Sequence, residues 1–149
     1  MIPERASIEY YDPNYVEDIV FNVRRYGRKS GYYVNIEATI KQPWGDDVSF
    51  HVVLYEYLHN EYKRTFVEFH FEHLCKMLKS DPYIGKAALN AGLKSCPLQP
   101  NRYVLPNMSI PFEHFPYIWP FEKAKGEGNF LCNKNVIANG TLFMRFTKN

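Results

Sequence analysis

The sequence predicts a mainly β protein, an immunoglobulin-like β-sandwich with one or two short helices, and three observations point there. Several segments alternate apolar and polar residues with period two, aromatic residues are abundant, and one stretch near residues 73–93 changes to helical spacing. The 149 residues fit a single domain, 1–149, and aromatics make up 17% of them, with 12 Tyr and 11 Phe, an excess that favours strands.

The segment DIVFNVRRY sets Ile19, Phe21 and Val23 on one face, and GRKSG follows as a turn with Gly27 and Gly31 at its ends. YYVNIEATI then alternates clearly, with Tyr32, Val34, Ile36, Ala38 and Ile40 on one side, so the two segments predict a hairpin. KQPWGDD reads as a loop. VSFHVVLYEY groups Val48, Phe50, Val52 and Leu54, LHNEYK reads as a turn, and RTFVEFHF groups Thr65, Val67, Phe69 and Phe71. HLCKMLK and DPYIGKAALNAGL predict the helical interruption, with Pro82 near a start where helices accept it. Between Cys96 and Phe121 six prolines make any strand irregular or confine it to a sheet edge. TLFMRFT supplies a closing strand.

Charge and composition exclude several function classes. A net charge of +2 is far from the concentrated basic surface that tracks phosphates, so no nucleic-acid partner is expected. No apolar run approaches the ~20 residues of a spanning helix, so no transmembrane segment is expected. The opening MIPERASIEYYD lacks a secretory apolar stretch, so any such signal is absent or was removed ahead of residue 1. The triplets at Asn107 and Asn139 are glycosylation acceptors and favour an exported protein.

Chemistry-bearing motifs are sparse. There is no G-x-S-x-G elbow, no H-E-x-x-H and no phosphate-cradling glycine loop. Glu68, His70 and Glu72 alternate along one strand and are the candidates for metal ligation or acid–base work, though a solvated sheet face explains them more simply. Cys132 has no base near it in sequence. No catalytic residue, cofactor or metal is assigned. Among three cysteines, Cys75 with Cys96 is the preferred disulfide, because closing that loop removes roughly 3 kcal/mol of unfolded-state entropy; pairings with Cys132 stay open on spacing alone. SIPFEHFPYIWPFEK concentrates Phe112, Phe115, Tyr117, Trp119 and Phe121, which either fill a core or ring the mouth of an apolar site, with Lys123 and Lys125 beside it for an anionic head group.

The order Leu74-Cys75 with Leu78, then Cys96-Pro97 with Tyr103, then Pro116 to Pro120 before a strand resembles the ML lipid-recognition superfamily, in its insect secreted branch related to the ganglioside activator and CheB chemosensory proteins. The likeness spans about Tyr32 to the C-terminus. It implies two sheets parted around a lipid cavity and no catalytic residues. The chain departs from the family in having fewer cysteines and in placing the glycine of the proline-rich turn at Gly126 or Gly128. The resulting expectation is a secreted, extracellular carrier of a lipid or semiochemical, lined by Phe21, Ile36, Phe50, Val52, Phe69, Phe71, Trp119 and Phe121. A membrane receptor is a further candidate partner. The rival reading is a protein–protein interaction module with a packed core and an aromatic docking loop.

Overall fold

A computed structural model describes residues 2–28, 31–110 and 122–146. In chain order the elements are β1 (Ile2–Tyr11), β2 (Val16–Arg25), β3 (Tyr32–Ile40), β4 (Val48–Leu58), β5 (Glu61–Phe71), α1 (Leu74–Ser80), α2 (Ile84–Asn90), β6 (Asn101–Met108), β7 (Lys123–Cys132) and β8 (Asn135–Arg145). They form two antiparallel sheets, β1-β8-β7-β4-β5 and β2-β3-β6. This is the two-sheet sandwich with two short helices that the sequence predicts.

Local chemistry fixes the hairpins. His59 and Asn60 between β4 and β5, and Asn133 and Lys134 between β7 and β8, all have φ between 52° and 68°. Two successive positive φ values match the turn whose twist suits a two-residue β-hairpin. The β2–β3 pair is the hairpin expected around GRKSG, with Phe21 opposite Ile36 and Val23 opposite Val34. β6 is an edge strand, and its register with β3 shifts between Val34 and Ile36, across from Leu105 to Met108 where Pro106 cannot donate to the ladder.

Two strands escape the sequence reading. β1 runs through IPERASIEYY, a stretch with no clear alternation, and β7 runs through KAKGEGNFLC, so Gly126 and Gly128 lie within a central strand and not in a turn. Glycine has low strand propensity and leaves no side chain to mark the alternation. In β1 the alternation is interrupted by register shifts at Pro3/Arg5 and Ile8/Tyr10.

The sheets close along one side, where β1 packs beside β2; among the described residues β5 and β6 make no comparable contact along the other. One end is plugged by the helices. Asp46, in the loop after β3, caps α1 from outside: its Oδ1 accepts from the Cys75 and Lys76 backbone N–H groups at 3.0 and 3.3 Å. Asp81 caps α2 by accepting from Gly85 N–H at 2.9 Å. The same loop carries buried Trp44, whose backbone pairs with Leu98 in both directions at 2.9 and 2.8 Å. Cys75 and Cys96 form a disulfide, so the preferred pairing is the one present, and it ties α1 to the segment Trp44 holds. Around this plug Val16, Ile40, Val48, Leu74, Met77, Leu78 and Ile137 form the main core; Leu54, Ala124 and Met144 form a smaller one at the opposite end.

Because the bridge closes a loop between residues 21 apart, replacing Cys75 and Cys96 by Ser is expected to lower unfolding free energy by roughly 3 kcal/mol. Urea denaturation is the measurement; a loss below about 0.5 kcal/mol, within the range of an ordinary surface change, would contradict it.

Candidate functional site

Between the two cores lies a cavity of about 300 Å³. Its walls follow from the alternation of each strand. β3 contributes Val34, Ile36, Ala38 and Ile40, β2 contributes Ile19 and Phe21, β4 contributes Phe50, Val52 and Leu54, and β5 contributes Phe69. β6 adds Tyr103, Leu105 and Met108, while α1 and α2 present Leu74, Met77, Leu78, Ile84 and Ala88 from the plugged end.

β7 and β8 wall the cavity with small residues at their middle. The inward positions there are Gly126 and Gly128 on β7 and Ala138 and Gly140 on β8, with Gly128 directly opposite Gly140. A Cβ on Gly126 would stand 3.2 Å from Leu54 Cδ2 and 3.4 Å from Met144 Cε, and one on Gly128 would stand 3.0 Å from Phe50 Cε1. Neighbouring side chains therefore reach over these glycines. Further toward the helices Phe130 stacks on Phe50 at 4.3 Å between centroids, and Trp44 leans on Phe130 at 5.3 Å. These rings close the floor.

No charged residue lines the cavity among the described residues, and its few polar side chains are satisfied elsewhere. Trp44 Nε1 donates to Tyr15 O at 3.3 Å, Tyr103 Oη donates to Gln99 O at 2.8 Å, and Asn139 Nδ2 donates to Asn129 Oδ1 at 2.5 Å. An apolar space without free donors or acceptors offers water no bonds, so it stays dry or takes an apolar guest.

Of the residues the sequence nominates, Phe21, Ile36, Phe50, Val52 and Phe69 line this cavity. Phe71 does not. It shares the inward face of β5 but stacks on the far side of Phe50, at 6.4 Å, where it packs against the helical core. Trp119 and Phe121, with the other aromatics of the proline-rich stretch, lie outside the described residues. The reading missed the glycines, whose contribution is the absence of a side chain, and the helical wall. Lys123 and Lys125 alternate with the inward residues of β7 and sit on its outer face. Lys125 Nζ pairs with Glu127 at 3.1 Å and lies 5.1 Å from the Tyr55 and Tyr62 rings, and Lys123 lies 5.1 Å from Tyr57, so neither serves the cavity as a head-group contact.

Glu68, His70 and Glu72 do not converge as a trio. Arg64 takes one oxygen of Glu68 at 3.0 Å and His70 Nε2 stands 3.3 Å from the other. The hydrogen bond with His70, then that with Arg64, holds the Glu68 carboxyl below its ordinary pKa. Asn107 is exposed near the end of β6, whereas Asn139 is half-buried in mid-strand with its amide committed to Asn129, so Asn107 is the better placed of the two acceptor sites.

Cys132 is a free, buried thiol whose Sγ lies 3.7 Å from Asp47 Oδ2. Burial pushes the thiol pKa up, a hydrogen bond with Tyr15 pulls it partly back, and the Asp47 charge adds to the rise. A thiol held protonated is a poor nucleophile.

The fold and site together define a two-sheet sandwich with an apolar cavity between its sheets. No protein-family model matches this chain, and no curated protein matches it. Among solved structures it is similar to chicken MD-1 complexed with lipid IVa, with TM-score 0.41 and 11% identity, over 96% of this chain and 98% of that one.

The thiol gives a pH signature. Its folded pKa lies above its unfolded value of about 8.5, so its stabilising contribution is complete below that pH and fades as pH rises through the folded value. Melting temperature is expected to fall more steeply between pH 8 and 10 in the natural chain than in Cys132→Ala. Parallel curves would show that Cys132 does not titrate as buried.

Proposed function

We propose that this protein is a non-catalytic carrier that binds or presents a hydrophobic small molecule, a lipid or semiochemical, in the cavity between its sheets. The observation that carries the reading is the chamber itself, about 300 Å³ walled by apolar side chains with every polar lining group partnered elsewhere. Ligand sites commonly occupy roughly 300–1,000 Å³ and are mostly apolar. Each buried methylene contributes about 0.8 kcal/mol, so a chain of eight to twelve carbons gains roughly 6–10 kcal/mol before the cost of association. Phe21, Ile36, Phe50, Val52 and Phe69 are the contacts, with Gly126 and Gly128 in the wall beside them.

Secretion to an extracellular compartment belongs to the same reading. The Cys75–Cys96 disulfide suits an oxidising environment, Asn107 is exposed for glycosylation, and the order of motifs resembles secreted ML proteins. A packed-core interaction module would leave no space of this size inside, and the cavity favours the carrier over it.

The test is uptake by delipidated protein of a panel of fluorescent fatty-acid and sterol probes. Saturable binding of at least one probe at a single site is expected. In Gly126→Leu the new side chain pushes the ends of Leu54 and Met144 into the chamber, so affinity falls at least tenfold in a variant whose folding a thermal melt checks. Failure of every probe, or uptake indifferent to Gly126→Leu, would contradict the proposal.

A further inference from the structure

Outside the cavity, on the solvent face of the five-stranded sheet, His51 of β4 and His70 of β5 stand directly opposite each other in register, with ring centroids 4.5 Å apart. Glu72, just past the end of β5, brings Oε1 to 3.5 Å from His51 Nε2. One ligand atom from each of the three lies within 4.8 Å of the other two. Among the described residues this is the group of metal-capable side chains that converges so closely.

The His51 Nε2 atom is buried and makes no hydrogen bond; the Glu72 carboxylate is near but beyond bonding geometry. A buried polar atom without a partner carries a desolvation cost that a ligand relieves. The rest of the cluster has what such a ligand needs. Zinc–nitrogen and zinc–oxygen bonds near 2.1 Å place tetrahedral ligand atoms about 3.3 Å apart. The His51–Glu72 pair, at 3.5 Å, is already near that figure, and the half-exposed His70 and the Glu72 side chain, 69% exposed, have room to close the rest. Glu68, anchored by Arg64 and lying 3.3 Å from His70 Nε2, is the kind of outer carboxylate that orients a ligating imidazole. Two imidazoles and one carboxylate suit a borderline divalent ion such as zinc or copper and leave a position for water.

We infer that His51, His70 and Glu72 form a binding site for a divalent transition-metal ion, zinc in the first instance, on the outer face of the β4–β5 hairpin. The site is independent of the carrier reading. Its ligands alternate along each strand with Phe50, Val52 and Phe69, so the metal binds on the face opposite the cavity.

Isothermal titration and native mass spectrometry with zinc sulfate test it on the full chain. One zinc per chain is expected, with affinity reduced at least tenfold in His51→Ala and in His70→Ala and severalfold in Glu72→Gln. His59→Asn, at the turn of the same hairpin where φ is 52°, should bind as the natural chain does. The His70 side chain is 47% exposed, so His70→Ala should fold, and thermal melts of the metal-free proteins check that it does. In the natural chain zinc should also shift the imidazole resonances of His51 and His70. No binding to well-folded natural protein overturns the inference, and so does binding that survives loss of both histidines, which would place the ion elsewhere.

Discussion

Two sheets packed face to face stand about 10 Å apart and need side chains from both to fill the space between them. In this protein the middle of β7 and β8 withholds them. Gly126, Gly128 and Gly140 occupy inward positions where a packed sandwich places large residues, and the opposing strands β2 and β3 still deliver Phe21, Ile36 and Ala38. The interior is consequently apolar and unfilled at once. Phe50, Leu54 and Met144 reach over the glycines without closing the chamber. An unfilled apolar volume has an energetic cost, since its lining forgoes dispersion contacts, and a guest that restores them offsets it.

The remaining architecture holds the chamber open. β1 beside β2 closes one flank, and the two short helices plug one end while presenting apolar side chains to the interior. Helices of seven residues are unstable alone. Here Asp46 and Asp81 satisfy their first N–H groups, and the disulfide and the Trp44–Leu98 backbone pair fasten α1 to the sheet-crossing loop. Mechanical definition is therefore concentrated at the helical end.

Much of this was readable from residues. Strict alternation located β2 to β5 with their inward faces, because each has one face against an apolar interior and the other toward water. The prolines after Cys96 confine any strand there to an irregular or edge position, and β6 is an edge strand. What escaped did so for physical reasons. β7 is disguised by its composition: the inward Gly126 and Gly128 remove the apolar marks by which a strand is recognised. β1 loses its pattern to two register irregularities. Phe71 obeys the alternation yet belongs to the floor, because a face assignment cannot say how far along the cavity a ring sits. The pairing of His51 with His70 depends on cross-strand register, whereas a single strand's pattern groups His70 only with Glu68 and Glu72.

Whether the space between the sheets receives a guest separates a carrier from a packed module. A crystal structure of the protein equilibrated with a brominated fatty acid tests this most directly. Anomalous bromine signal is predicted within the chamber, flanked by Phe21 and Val52 and over Gly126 and Gly128. Bromine found only on the outer surface, with Phe50 and Met144 collapsed to fill the interior, would contradict it.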